Sequence, residues 1–176
     1  MVRSKIKVTD RKTNRKKRGQ DVNKDLLRVY VDTSVVGGVL DSEFADPSQT
    51  FLQKAARGEF KLVLSSVVAD EVYRAPSGVR DVFREIAAYS ESFVLNDETI
   101  KLRRAYLEAG AVSPKWQIDA LHVAAATVSG CQAIVSWNFK HIVNYRRISV
   151  YNAVNTATGY GPIAIHSPLE MIADED

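Results

Sequence analysis

From Leu26 onward, short apolar runs that each stop at a polar residue alternate with segments of helical period, and this alternation constrains the fold most. "LLRVYV" (Leu26 to Val31) is a mostly apolar run that stops at Asp32, as a buried parallel strand does. Gly37 and Gly38 follow, and then Phe51, Leu52, Ala55 and Ala56 share one helical face between Pro47 and Arg57, with Gly58 as a stop. "FKLVLSS" (Phe60 to Ser66) reads as the second strand and passes into a short helix, "VVADEVYRA", ended by Pro76. A helix from about Gly78 to Tyr89 and a third strand, "SFVL" (Ser92 to Leu95), come next. "NDETIKLRRAYLEAG" has the marks of a complete helix: Asn96 or Asp97 as cap, acids in the first turn, Gly110 at the end. Pro114 to Gly130 is an Ala-rich helix, apolar on most of its circumference. "CQAIVS" is a fourth strand, and "RISVYNA" is expected as a fifth, at an edge. Strands alternating with helices imply right-handed crossovers. The expected fold is therefore a three-layer α/β/α sandwich around a central, mostly parallel sheet of four to five strands.

The 176 residues, 45% of them hydrophobic, suffice for one substantial core, so residues 26–176 read as one domain. No run of about 18 apolar residues exists, which excludes a membrane-spanning helix from the sequence. The amino-terminal stretch lacks the apolar centre of a signal peptide, and the expected location is cytoplasmic. The net charge of +3 hides an asymmetry. Residues 1–28 hold 11 Lys and Arg against 3 Asp, so the other 148 residues keep 13 of the 24 basic and 18 of the 21 acidic groups, a net of −5. The basic character belongs to residues 1–25, which read by composition as a disordered tail. Two roles stay open for it: a grip on phosphates or an acidic partner, and a solvated leader. Cys131, the single cysteine, lies in an apolar run and reads as a buried structural thiol.

Ligands of an open parallel sheet gather at the carboxyl ends of its strands. Asp32 follows the first strand, Glu71 lies one helical turn beyond the second, and Ser136 and Asn138 follow the fourth. Asp119 adds a carboxylate from the otherwise apolar helix, on one face with His122, Val123 and Ala126. An acid at a strand end is often a cap, and Asp119 taken alone suits a buried salt bridge as well as a metal. Three acids converging without a cation would repel one another and raise at least one pKa. A hard divalent ion resolves that repulsion, and oxygen ligands favour Mg²⁺ or Mn²⁺.

In this order the motifs resemble those of the PIN-domain family, in particular its VapC-like toxin ribonucleases. "VYVDTSV" looks like the opening strand with the first acid, and "SSVVADEV" like the second segment, with Glu71 as its glutamate. Asp70 is a rival; Glu71 is favoured because the family's acid directly precedes an apolar residue. "DALHVAAAT" is similar to the third motif, with Asp119, and "IVSWNFKHIVN" to the fourth. The closing "NTATGYGPIAIHSPLEM" also matches that branch, so the resemblance spans roughly Arg28 to Met171. One departure stands out: many members carry a further acid where this chain has Asn138, and another acid where it has His141.

The resemblance implies hydrolysis of RNA phosphodiester bonds, with Asp32, Glu71 and Asp119 holding Mg²⁺ or Mn²⁺ and Asn138 assisting. Asn138 leaves open whether there are one or two metals. Thr33 and Ser136 are auxiliary candidates, to hydrogen-bond the acids or the phosphate, with capping as the plain alternative. His122 and His141 suit core or outer-sphere donor roles better than a catalytic one. Trp116 and Trp137 suit packing better than base stacking. The resemblance further implies a small antitoxin partner and a homodimer. Two other readings differ in class. One is a catalytically weakened PIN-fold module for RNA binding or protein interaction. The other is a phosphatase-like or receiver-like protein, for which Lys140 is a poor match to the expected lysine.

Overall fold

The computed structural model describes residues 26–173; the basic segment 1–25 lies outside them. Strands β1 (Arg28–Val31), β2 (Lys61–Ser65), β3 (Glu91–Phe93), β4 (Ala133–Val135) and β5 (Ala164–His166) form one parallel sheet in the order β3-β2-β1-β4-β5. The helices in chain order are α1 (Thr33–Gly38), α2 (Ala45–Ala56), α3 (Ser66–Tyr73), α4 (Ser77–Ala87), α5 (Asp97–Glu108), α6 (Gln117–Val128), α7 (Tyr145–Ala157) and α8 (Pro168–Ile172). A 3₁₀ turn, Pro114–Trp116, leads into α6.

The strand order determines which helices share a face. The connections after β1 and β2 run towards the β3 edge and carry α1 to α4. The chain then crosses back to β4 through α5 and α6, and α7 continues towards β5. Right-handed crossovers that run in opposite directions cover opposite faces of a sheet. Helix packing divides the same way: α5 packs on α6 and α7, whereas α1 touches α2, α3 and α4, and α2 packs on α8. Covered on both sides, the central strands are continuously apolar, and Val29, Tyr30, Val31, Val63, Ile134 and Val135 are fully buried. The direction of the connections reverses between β1 and β4, and that switch point is where a doubly wound sheet opens a crevice at its carboxyl end.

Asn96 caps α5, its Oδ1 accepting from Thr99 N at 3.0 Å, and Gly110 (φ 74°) ends it, a conformation that favours glycine. One expectation fails. "RISVYNA" is not an edge strand; it lies inside α7, and the fifth strand is β5, further on. A strand starting at Arg147 would follow Val135 by a short loop, and parallel pairing needs a crossover of about a dozen residues, usually a helix. The sequence carries that helix: Ile148, Tyr151 and Asn155 recur at intervals of three and four, and Tyr151 and Asn155 are buried. Asn152 on the same helix then clamps the segment before β5. Its Nδ2 donates to Ile163 O (3.1 Å) and its Oδ1 accepts from Ile163 N (2.8 Å).

The sequence gives no clear sign of α1, because two of its six residues are glycine. Packing of Val35 and Val36, both fully buried, overrides that weakness. Gly38 closes the helix against a tight neighbour: a Cβ there would lie 2.7 Å from Ser48 Oγ and 2.8 Å from Trp137 Nε1. Those two atoms are hydrogen-bonded to each other at 2.9 Å and their residues are buried, so neither can move aside freely. Gly38→Ala is therefore expected to cost about 1–3 kcal/mol, measured by urea unfolding, as overpacking does. Wild-type stability in that variant would mean that this contact is loose.

Candidate active site

At the switch point, Asp32 N donates to Val135 O (3.1 Å), fastening the end of β1 to the end of β4. The side chain of Asp32, a buried residue, is held by hydroxyls that follow both strands. Ser34 Oγ (2.5 Å) and Ser136 Oγ (2.7 Å) both donate to its Oδ2. Each hydroxyl is itself fixed by a backbone donor: Trp137 N at 2.9 Å on Ser34 and Asn138 N at 2.9 Å on Ser136. Ser136 is thus placed where a hydroxyl orients an acid. Ser34, which plays the same part, is not among the candidate residues; its place among the small hydroxyl residues that trail Asp32 in "VYVDTSV" is the available signal.

Ser65 caps α3, and Glu71 lies on that helix two turns on. Thr33 Oγ1 donates to Glu71 Oε2, and His122 Nε2 bonds the same oxygen at 2.9 Å. Burial alone would raise the Glu71 pKa, but the hydrogen bonds from His122 and Thr33 outweigh it and hold the carboxyl below its ordinary range. Asp70, the rival acid, is exposed and makes no hydrogen bond among the described residues, whereas Glu71 is bonded by Thr33 and His122.

His122 is the centre of the arrangement. Its ring, 2% exposed, has Nε2 facing Glu71 at 2.9 Å and Asp32 Oδ1 at 3.4 Å, while Nδ1 meets the Tyr30 hydroxyl at 2.9 Å. Tyr30 in turn bonds Ser65 Oγ at 2.6 Å. Burial disfavours the charged imidazole, but Asp32, Glu71 and Asp119 together outweigh it and raise the pKa above the usual value. The ring thus sits between two carboxylates that favour its charged form. Sequence reasoning gives it an outer-sphere role and omits it from the candidate ligands; its position three residues after Asp119 is the available signal.

Asp119, in the first turn of α6, completes the acid group. Asn138 Nδ2 donates to its Oδ1 (2.9 Å), and its Oδ2 is buried with no hydrogen-bond partner among the described residues. Burial first, then the charge of Asp32, pushes its pKa up to about 6. In protein kept free of divalent ions the unfolded chain holds fewer protons than the folded one between about pH 4 and pH 6. Stability is then lost as pH rises through that window and stays low above it. Asp119→Asn removes the penalty, so the variant should melt above wild type at pH 7.5 in EDTA, by about 2–4 °C per kcal/mol recovered. That gain should vanish near pH 4. An offset in Tm equal at all pH values would show that the carboxyl is not strained.

The donor set suits a divalent cation. Ligand atoms of Asp32, Glu71 and His122 lie within 4.8 Å of one another, and the orphaned Oδ2 of Asp119 is an acceptor in want of positive charge. The tight trio contains His122 where the sequence suggested Asp119; Asp119 stands beside it, coupled to Asp32 and Glu71 through charge. The chain's architecture has a solved counterpart. A chain in the crystal structure of VapBC2 from Rickettsia felis bound to a DNA fragment from their promoter superposes with a TM-score of 0.54. The match covers 80% of this chain and 98% of that one. The fold is shared. At 13% identity the likeness carries the all-parallel PIN-like architecture and not the roles of single residues. No protein-family model matches the sequence, and no curated protein matches it. Among the described residues no helix is long and apolar enough to cross a membrane.

Proposed function

We propose that this chain is a metal-dependent endoribonuclease that hydrolyses RNA phosphodiester bonds, and the toxin of a toxin–antitoxin pair. The observation that carries the reading is the way the three acids are held. Asp32 is anchored through Oδ2, Glu71 through Oε2 and Asp119 through Oδ1, each by its own hydroxyl, imidazole or amide donor. Glu71 and Asp119 keep a second oxygen for a shared ligand at the crevice of a parallel sheet, and Asp32 Oδ1 faces His122 Nε2 at 3.4 Å. When bound there, Mg²⁺ or Mn²⁺ supplies Lewis-acid stabilisation of phosphoryl charge and activation of water.

The chain's own residues do the positioning. Ser34 and Ser136 orient Asp32, Thr33 orients Glu71, and Asn138 orients Asp119. The amide of Asn138 donates to Asp119, so here it acts as an orienting group. His122 Nε2 faces both Asp32 and Glu71, which holds the two carboxyls close to one another. The solved neighbour is a VapBC2 assembly on promoter DNA, which supports a partner protein for this chain. A net charge of −5 outside residues 1–28 suits a basic inhibitor arm, and the 11 Lys and Arg of residues 1–28 offset the same charge towards RNA. A homodimer belongs to the same reading.

The test is incubation of single-stranded RNA with the purified full chain, shown by intact mass to be free of partner, with Mn²⁺ or with EDTA. Cleavage in Mn²⁺ and none in EDTA is the expected result. Mn²⁺ binding by folded protein without cleavage would instead make it a binding module on a PIN-like scaffold.

A further inference from the structure

The two tryptophans that frame the fourth motif have separate fates. Trp137 is 8% exposed, stacks on Phe44 at 4.4 Å and donates to Ser48, so it belongs to the core. Trp116 is only half-buried and ends the turn that leads into α6, three residues before Asp119. Its indole rests on the His141 ring at 4.3 Å and 29°, a stacked arrangement that covers one face. His141 is 4% exposed, and neither ring nitrogen has a hydrogen-bond partner among the described residues, so it serves Trp116 as a flat support. That support is tied to the acids: His141 N donates to Asn138 Oδ1, and Asn138 Nδ2 donates to Asp119, both at 2.9 Å.

Two ammonium groups converge on this ring. Lys115 Nζ lies 5.1 Å and Lys140 Nζ 5.3 Å from the indole centroid. They come from different segments, both are exposed, and neither has a carboxylate partner among the described residues. Two unpaired cations over one aromatic ring, on a body whose net charge is −5, form an anion-seeking spot beside a flat apolar surface. Phe139 (49% exposed), adjacent to Lys140, adds a further exposed ring to the same loop. Both lysines are exposed and can swing from over the ring to its rim, which leaves a match for a nucleotide: base on the ring, phosphate on the ammonium groups.

We propose that Trp116, Lys115 and Lys140 form a subsite for one nucleotide of single-stranded RNA next to the bond that is cut. The subsite rests on the ribonuclease reading and adds to it the residues that hold one base and its phosphate, because an unpaired base can lay its face on the indole.

The experiment measures binding in EDTA, where cleavage plays no part. A short fluorescein-labelled oligoribonucleotide is titrated into the full chain, W116F, W116A and K115Q/K140Q, with anisotropy and, using unlabelled oligonucleotide, tryptophan emission recorded. Quenching reads Trp116 locally, whatever residues 1–28 contribute to affinity. The wild type should be quenched by the single strand and not by a duplex of the same sequence, and W116F should lose the quench. W116A should bind about 5- to 100-fold more weakly, as loss of one stacked base does, with W116F in between. K115Q/K140Q should lower the slope of log K against log salt by about 0.7 for each phosphate no longer neutralised. Unchanged affinity in folded W116A and K115Q/K140Q, or equal quenching by duplex, overturns the subsite. So does a W116A variant that dissociates a dimer in sedimentation while binding RNA normally, since a second copy then occupies this surface. Trp116-dependent binding without cleavage in Mn²⁺ leaves the subsite standing and removes the nuclease reading. Mn²⁺-dependent cleavage with affinity indifferent to all three residues does the reverse.

Discussion

Asp32→Asn is expected to cut Mn²⁺-dependent RNA cleavage by more than about a hundredfold, beyond what loss of an outer-sphere partner costs. The reason is geometric as well as electrostatic. Ser34 and Ser136 both donate to Oδ2, so an amide would keep its oxygen there and turn its NH₂ towards His122 Nε2, 3.4 Å from the present Oδ1. A donor then faces a donor, and one of the carboxylates available to a cation is gone. The side chain is nearly isosteric, so the fold should survive and the loss can be assigned to the site. Initial cleavage rates and Mn²⁺ affinity by calorimetry should fall together, and Glu71→Gln should behave alike. Asp70→Asn, an exposed position, should leave both unchanged. Wild-type Mn²⁺ affinity in the Asp32 variant would remove that residue from the ligand set.

Ile134→Ala should be strongly destabilising, at about 2–5 kcal/mol in urea unfolding. Ile134 is fully buried in β4, paired with Tyr30 of β1 on one side and Ile165 of β5 on the other. With both neighbours locked by backbone pairing, little can collapse into the space left behind, and residual cavity is what makes such a change costly. Ile134→Val should cost only about 0.5–1.5 kcal/mol. A loss below about 1 kcal/mol for the alanine variant would mean that β4 is not a central strand.

The parts of this molecule that can be read from sequence are those with a local, periodic signature. Asp32 announces itself because an apolar run breaks there, and α6 because Asp119 and His122 recur on one face of an apolar helix. The start of α7 misleads because Ile148 and Val150 alternate like a strand over a few residues. Its true period shows only when Tyr151 and Asn155 are included. The partners of the acids have no such signature. Ser136 reaches Asp32 across 104 positions, His122 reaches Glu71 across 51, and Thr33 reaches Glu71 across 38. A serine near a strand end looks the same whether it caps a helix or orients a carboxylate. Resemblance to a family offers the acids by position, but it leaves Thr33 and Ser136 between orienting and capping, and His122 between core and donor, until the fold brings them to the acids.

The hydrogen bond from Ser136 to Asp32 also has a consequence for synthesis. All three acids lie within the first 119 residues, but the strand that brings Ser136 and Asn138 to them is built from residues made later. A chain emerging from the ribosome therefore passes through a stage in which it holds its acids without the clasp that aligns them. Contacts of such long range are the last to be rewarded during folding. The acid cluster is therefore complete only once residues 133–138 have joined the sheet.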